Sequence, residues 1–242
     1  MKIDINSATP FYHLPECPNR NVEDLALRCI AAQRDAVSGN RRPPGSLDDA
    51  KAAVAPEALE RILSDGDDIH GIAEDEELSD VIVFNAAHLD GSVRDGDVAR
   101  LRKDLDREVT TMLRHLLGFG RNLEARRSGH FWYPPGSHMA WHTNNKAPGW
   151  RVYLTHTKEP GRSFFRYRDP LTGEIFTTMD NRWDLRVFRV DPAQSLWHAV
   201  YSETDRFSFG YAIVIKPFIR AALSHTRSAL ARILRPDSRA AR

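Results

Sequence analysis

Apolar positions along this chain change their period near Gly120. Before it they recur three and four apart, the spacing of a helix with one buried face. Leu25, Cys29 and Ile30 follow a start signal at Asn21 and Asp24, and a second short helix is predicted between Ser46 and Leu63. Val98, Leu101, Leu105, Val109, Met112 and Leu116 form the clearest stripe, with Asp97 placed to cap it and Gly118 to end it. Between these helices Val81-Ile82-Val83-Phe84 is a β-branched run that predicts a buried strand. After Gly120 short aromatic and β-branched runs take over, at 127–133, 138–143, 150–157, 163–168, 174–178, 185–190, 195–201 and 206–215. Turn chemistry separates them at Pro134-Pro135-Gly136, Pro148-Gly149, Pro160-Gly161, Asp169-Pro170, Thr172-Gly173 and Asp191-Pro192. Eight short strands so spaced predict an antiparallel sandwich or jelly roll and not a βαβ sheet. The expected architecture is mainly β with α in one structural domain. A mainly helical support over 1–120 precedes a double-stranded β-helix (jelly roll, cupin-like) over 121–216, and a basic helix and tail follow over 217–242.

Composition narrows the partners. With 41% hydrophobic and 28% charged residues and a formal net charge of +1, the 242-residue chain has no bulk attraction for nucleic acid. Charge is uneven: residues 46–80 hold twelve acids against Lys51 and Arg61, while Lys216 to Arg242 holds seven bases against Asp237. In that tail Phe218, Ile219, Ala222, Leu223, Leu230 and Ile233 recur at helical spacing, which favours a helix packed on the domain. The only cysteines, Cys17 and Cys29, and an N-terminus without a charged-then-apolar signal predict a reduced, cytoplasmic protein. No apolar run approaches the roughly eighteen residues of a membrane span.

Three short tracts carry the chemistry. Tyr133-Pro-Pro-Gly136-Ser-His-Met-Ala-Trp-His142-Thr-Asn144 is followed by Trp197-His198 and then by Asp205-Arg206-Phe-Ser208. His142 and Asn144, two apart on a strand, share one face. Two imidazoles and one oxygen ligand suit iron(II) with positions left for a chelating co-substrate and dioxygen, and a cation lies eight residues beyond the second imidazole. His130, His138 and His156 receive no role.

This order of residues resembles the iron(II)/2-oxoglutarate-dependent dioxygenase superfamily, most closely its prolyl-hydroxylase-like branch, in which a Tyr-x-x-Gly strand leads into His-x-Asp, a distant second His and a following basic residue. The resemblance covers roughly residues 120–215. It implies that His142, Asn144 and His198 hold iron(II), and that Arg206, Ser208 and Tyr133 hold 2-oxoglutarate, with Arg206 pairing bidentately with the distal carboxylate. Asn144 stands where the family carries Asp, and a neutral oxygen costs the metal a strong Coulombic attraction. Asn144 is then a neutral third ligand, or Glu159, Asp169 or Asp180 reaches in from another loop, or the centre is degenerate. Halogenases of this family carry a small residue at that position to admit a halide, and Asn is too large for that. The implied activity is hydroxylation of a small molecule or side chain. The alternatives are a cupin-like metal-dependent isomerase or hydrolase, which Arg206-x-Ser208 argues against, and a non-catalytic binding or sensor domain, which Asn144 favours. Trp141, Asn145, Arg151, Tyr153 and Arg166 are the expected substrate contacts, and the loop 143–149 an expected lid.

Overall fold

Asn19 starts the first helix, with its Oδ1 accepting from the backbone N–H groups of Asn21 at 2.9 Å and Val22 at 3.2 Å. Helix α1 (Arg20–Val37) therefore begins before the start predicted at Asn21. The structure is a computed structural model that describes residues 2–37, 46–66, 82–83 and 96–216. Between Ser46 and Leu63 stand two helices, α2 (Leu47–Ala53) and α3 (Pro56–Asp65), where one was expected. Pro56 has no N–H to bond back into α2 and takes the first turn of α3 instead. Helix α4 (Gly96–Leu117) carries the predicted stripe, and Gly118 leaves it with a left-handed φ of 75°. Asp97 lies inside α4, not ahead of it. The helix and tail predicted over 217–242 lie outside the described residues, as does the rest of the 81–84 run around Ile82–Val83.

All eight predicted strands are present: β3 (Leu123–Tyr133), β4 (Ser137–His142), β5 (Gly149–Thr157), β6 (Ser163–Arg168), β7 (Ile175–Met179), β8 (Trp183–Val190), β9 (His198–Ser202) and β10 (Arg206–Ile215). Two more come from the N-terminal half, β1 (Phe11–Leu14) and β2 (Ile82–Val83). The helical reading of that half did not anticipate β1, four residues too short to show a period. One antiparallel sheet runs β1-β8-β5-β10-β3-β2 and the other β4-β9-β6-β7, so successive strands from β3 to β10 are dealt between two sheets. This is the double-stranded β-helix, or jelly roll.

Alternation along the strands separates an outer from an inner core. Val152, Leu154, Leu185, Val187, Phe207, Phe209 and Tyr211 face out from the six-stranded sheet onto α1 and α4. Trp197, Ala199 and Tyr201 face out from the four-stranded sheet onto α2 and α3. Between the sheets, Phe165 of β6 packs near Phe188 of β8 and Tyr153 of β5, with ring centroids 6.2 and 6.4 Å away. Among the described residues no helix is long and apolar enough to cross a membrane. Cys17 and Cys29 are buried and unbridged.

Candidate metal centre and anion pocket

A bulge in β4 sets the centre. Met139 pairs with Val200, yet His142 pairs with His198, so β4 spends three steps where β9 spends two. Met139 packs in the inner cluster and Trp141 in the outer one, and the extra residue brings His142 inward again beside His198. The two rings lie 4.1 Å apart between centroids, tilted by 53°.

Both histidines are 3% exposed or less. His142 Nδ1 donates to Ala140 O at 2.8 Å and His198 Nδ1 to Leu196 O at 3.2 Å, since a carbonyl can only accept. Each bond fixes the tautomer that leaves an Nε2 lone pair free for a cation. Burial pushes the His142 ring down to about 4, and burial together with the neighbouring His142 pushes His198 well below 6.5, so both are neutral ligand-type imidazoles at pH 7. Asn144 Nδ2 lies 3.4 Å from His198 Nε2 and donates to the Tyr153 hydroxyl at 3.3 Å. A half-turn of the carboxamide exchanges that nitrogen for its oxygen. Tyr153 is held close by Gly210, whose hydrogen stands where a Cβ would meet Gly129 O at 2.6 Å and Tyr153 Cε1 at 3.1 Å.

The donor set is two imidazoles and one carboxamide. Glu159 pairs with Arg162, Asp169 accepts from Leu171 and Thr172 within its own turn, and Asp180 pairs with two arginines. Among the described residues no three His, Cys, Asp or Glu side chains cluster as a metal site would require. The residues therefore fit a divalent cation through His142, His198 and the Asn144 oxygen, with no negative ligand among the described residues.

The barrel also holds a buried charge cluster. Arg206 and Ser208 share the inner face of β10, where Arg206 sits opposite Tyr133 and Thr157, and Ser208 opposite Phe131 and Thr155. Arg206 is 1% exposed. Its Nε donates to Asp180 Oδ2 at 2.8 Å, its Nη2 to Thr155 Oγ1 at 3.4 Å, and its guanidinium stands over the Tyr133 ring, 4.8 Å from the centroid. Ser163 Oγ also donates to Asp180 Oδ2, at 2.6 Å. Burial alone would raise the Asp180 carboxyl, but Arg206, Arg186 and Ser163 outweigh it and hold it down at about 2. Burial works against the Arg206 charge, and Asp180 more than restores it. The second arginine, Arg186 on the inner face of β8, was not singled out by sequence. It places Nη2 2.8 Å from Asp180 Oδ1, an ion pair without hydrogen-bond alignment, and donates to Thr178 Oγ1 at 3.1 Å.

The expected substrate contacts separate. Tyr153 faces the histidines, its ring centroid 6.2 Å from that of His198. Asn145 Nδ2 donates to Ser195 Oγ, and Arg151 donates to Ala147 O, so both tie down the 143–148 loop beside the centre. Trp141 and Arg166 point away from the barrel interior. Trp141 is fully buried in the outer core with Nε1 donating to Ala55 O at 2.8 Å, because the β4 bulge turns it outward. Arg166 donates to Val54 O and Thr177 Oγ1 and lines an outer cleft of about 470 Å³ with Lys51, Arg162 and Phe164.

No protein-family model matches the chain, and no curated protein sequence does. Solved structures match at low identity. A prolyl-4-hydroxylase from Pseudomonas putida is 13% identical, with 86% of this chain and 94% of that chain covered and a TM-score of 0.42. A Trichoplax adhaerens prolyl hydroxylase, in complex with a hypoxia-inducible-factor peptide fragment, is 11% identical over 86% of this chain and 84% of that one, with a TM-score of 0.44. The Arabidopsis thaliana dioxygenase for auxin oxidation 1, as its 2-oxoglutarate complex, is 12% identical over 87% and 84%, with a TM-score of 0.41. At these values the likeness is remote, and the site is read from its own residues.

Proposed function

We propose that the chain is a non-haem iron(II), 2-oxoglutarate-dependent oxygenase that hydroxylates a small molecule or side chain. The observation that carries this reading is the pair of buried imidazoles on adjacent strands, each fixed through Nδ1 to a carbonyl, with a carboxamide beside one of them. His142, His198 and Asn144 would hold the iron. Bound iron(II) would supply the redox chemistry that couples dioxygen to oxidation of the oxo-acid and the substrate. Arg206, Ser208 and Tyr133 would hold the distal carboxylate of 2-oxoglutarate. Phe165 and Phe188, with ring centroids 5.4 and 5.5 Å from that of His198, form an apolar wall that keeps water from the reacting end. Tyr153, hydrogen-bonded to Asn144, orients the carboxamide.

A second reading is a binding or sensor domain without turnover. It is favoured by Asn144, which donates to His198 Nε2 and so satisfies that lone pair without a cation. One measurement separates the two. Iron(II) and 2-oxoglutarate added under anaerobic conditions should give the visible charge-transfer band of an oxo-acid chelated to iron. A folded, iron-loaded protein without that band would overturn the oxygenase reading.

A further inference from the structure

Arg186 presents an unmet demand for an acceptor. Its side chain is 0% exposed, at the centre of β8, with Tyr153 opposite on β5 and His13 opposite on β1. A guanidinium carries five N–H donors, and buried donors are nearly always partnered. Among the described residues only Nη2 has partners, Asp180 and Thr178, while Nε and Nη1 are buried without any. Arg206 Nη1 is in the same condition. Three guanidinium nitrogens from two strands are thus left over around one carboxylate. Asp184 does not fill the gap, for it sits 3.9 Å from Arg186 Nη2 and spends its oxygens on His13 and on Asn181.

The cluster and the metal-type centre share a neighbour. The Arg186 guanidinium stands over the Phe165 ring, 5.2 Å from the centroid, and His198 stacks with the same ring at 5.4 Å. A ligand chelated at the histidines and running past Phe165 would bring its far end towards Arg186.

We infer that Arg186 is a second, specificity-determining carboxylate donor, clamping the distal carboxylate of a dicarboxylic 2-oxo acid jointly with Arg206, with Asp180 as the spacer that holds the two guanidinium groups apart. The inference rests on the oxygenase reading above, and it assigns the choice between dicarboxylic and monocarboxylic oxo-acids to a residue on β8. Donors from two guanidinium groups on one carboxylate reject a ligand lacking that group, because they would stay buried and unpaired.

The test is calorimetric binding of 2-oxoglutarate and of 2-oxobutyrate, which lacks the distal carboxylate, to the Mn(II)-loaded full chain. The wild type should prefer 2-oxoglutarate, and Arg186→Gln should lower that preference about tenfold, the equivalent of one charge-assisted contact, with 2-oxobutyrate affinity unchanged. Arg186→Lys, which keeps the charge and loses the fork, should fall between them and replaces the Gln variant if that one does not fold. An unchanged preference in the variants overturns the inference, and so does an equal loss for both ligands, which marks general damage. A wild type that binds both acids equally removes the distal-carboxylate clamp altogether. A wild type that binds neither overturns the oxygenase reading itself.

Discussion

His142 and His198 make the same local hydrogen bond, each ring donating its Nδ1 proton to the carbonyl two residues before it, Ala140 within β4 and Leu196 just ahead of β9. The repetition leaves two Nε2 lone pairs at one place. Replacement of either histidine by Ala should weaken Mn(II) or Co(II) binding by more than the roughly tenfold to hundredfold that loss of an orienting hydrogen bond costs. Titration calorimetry checks this, and undiminished affinity would remove that imidazole from the site.

Asn144→Asp should reverse the dependence of stability on metal. The carboxamide donates to His198 Nε2, whereas an ionised carboxylate has no proton to donate and faces a lone pair. In chelator the variant should melt below the wild type. With Mn(II) it should melt above it, since a charged ligand replaces a neutral one. A variant that melts below the wild type in both conditions would contradict the assignment.

Asp180→Asn should destabilise the fold by about 3–5 kcal/mol, the usual consequence of stripping the partner from a buried charge. Arg206 and Arg186 both lose their carboxylate in that variant. Urea unfolding measures the change, and a loss under about 1 kcal/mol would show that the two arginines do not depend on it.

Acid should unfold the protein through its histidines before it reaches Asp180. Burial holds His142 at about 4, burial and Arg182 hold His156 at about 4, and burial holds His130 and His198 well below 6.5. The unfolded chain takes up these protons near 6.5 and the folded one resists them. Stability is then fully present above pH 6.5 and falls as the pH drops towards 4. Asp180 acts in the same direction at lower pH: held near 2 against 3.8, its contribution is present above pH 3.8 and is lost only towards pH 2. Urea midpoints should decline steadily from pH 6.5 to 4, and a flat profile over that range would refute the burial of neutral rings.

Most strands of the barrel were legible because Gly, Pro or Asp-Pro turns bound them and alternation runs along them, as Phe207, Phe209 and Tyr211 show against Arg206 and Ser208. Spacing put His142 and Asn144 on one face, only the family resemblance added His198, and the three side chains lie together. Trp141 was misjudged because a bulge is a single unpaired residue with no compositional mark. Arg166 was misjudged because alternation gives two faces without saying which is inner, and only packing against α2 decides it. Arg186 sits among Leu185, Val187 and Phe188, where an arginine reads as a surface interruption. Its role depends on Asp180, a partner in the preceding turn whose reach into the barrel no local pattern announces.

The extra residue in β4 makes the centre a matter of counting. Regular pairing of the same residues with β9, the bulge lost and none deleted, would set Trp141 opposite His198 and shift every later side chain of β4 by one step. The indole would enter the barrel and the imidazole would leave it, with composition untouched. The strand behaves as a reading frame in space, and the candidate ligand set exists in only one of its two phases.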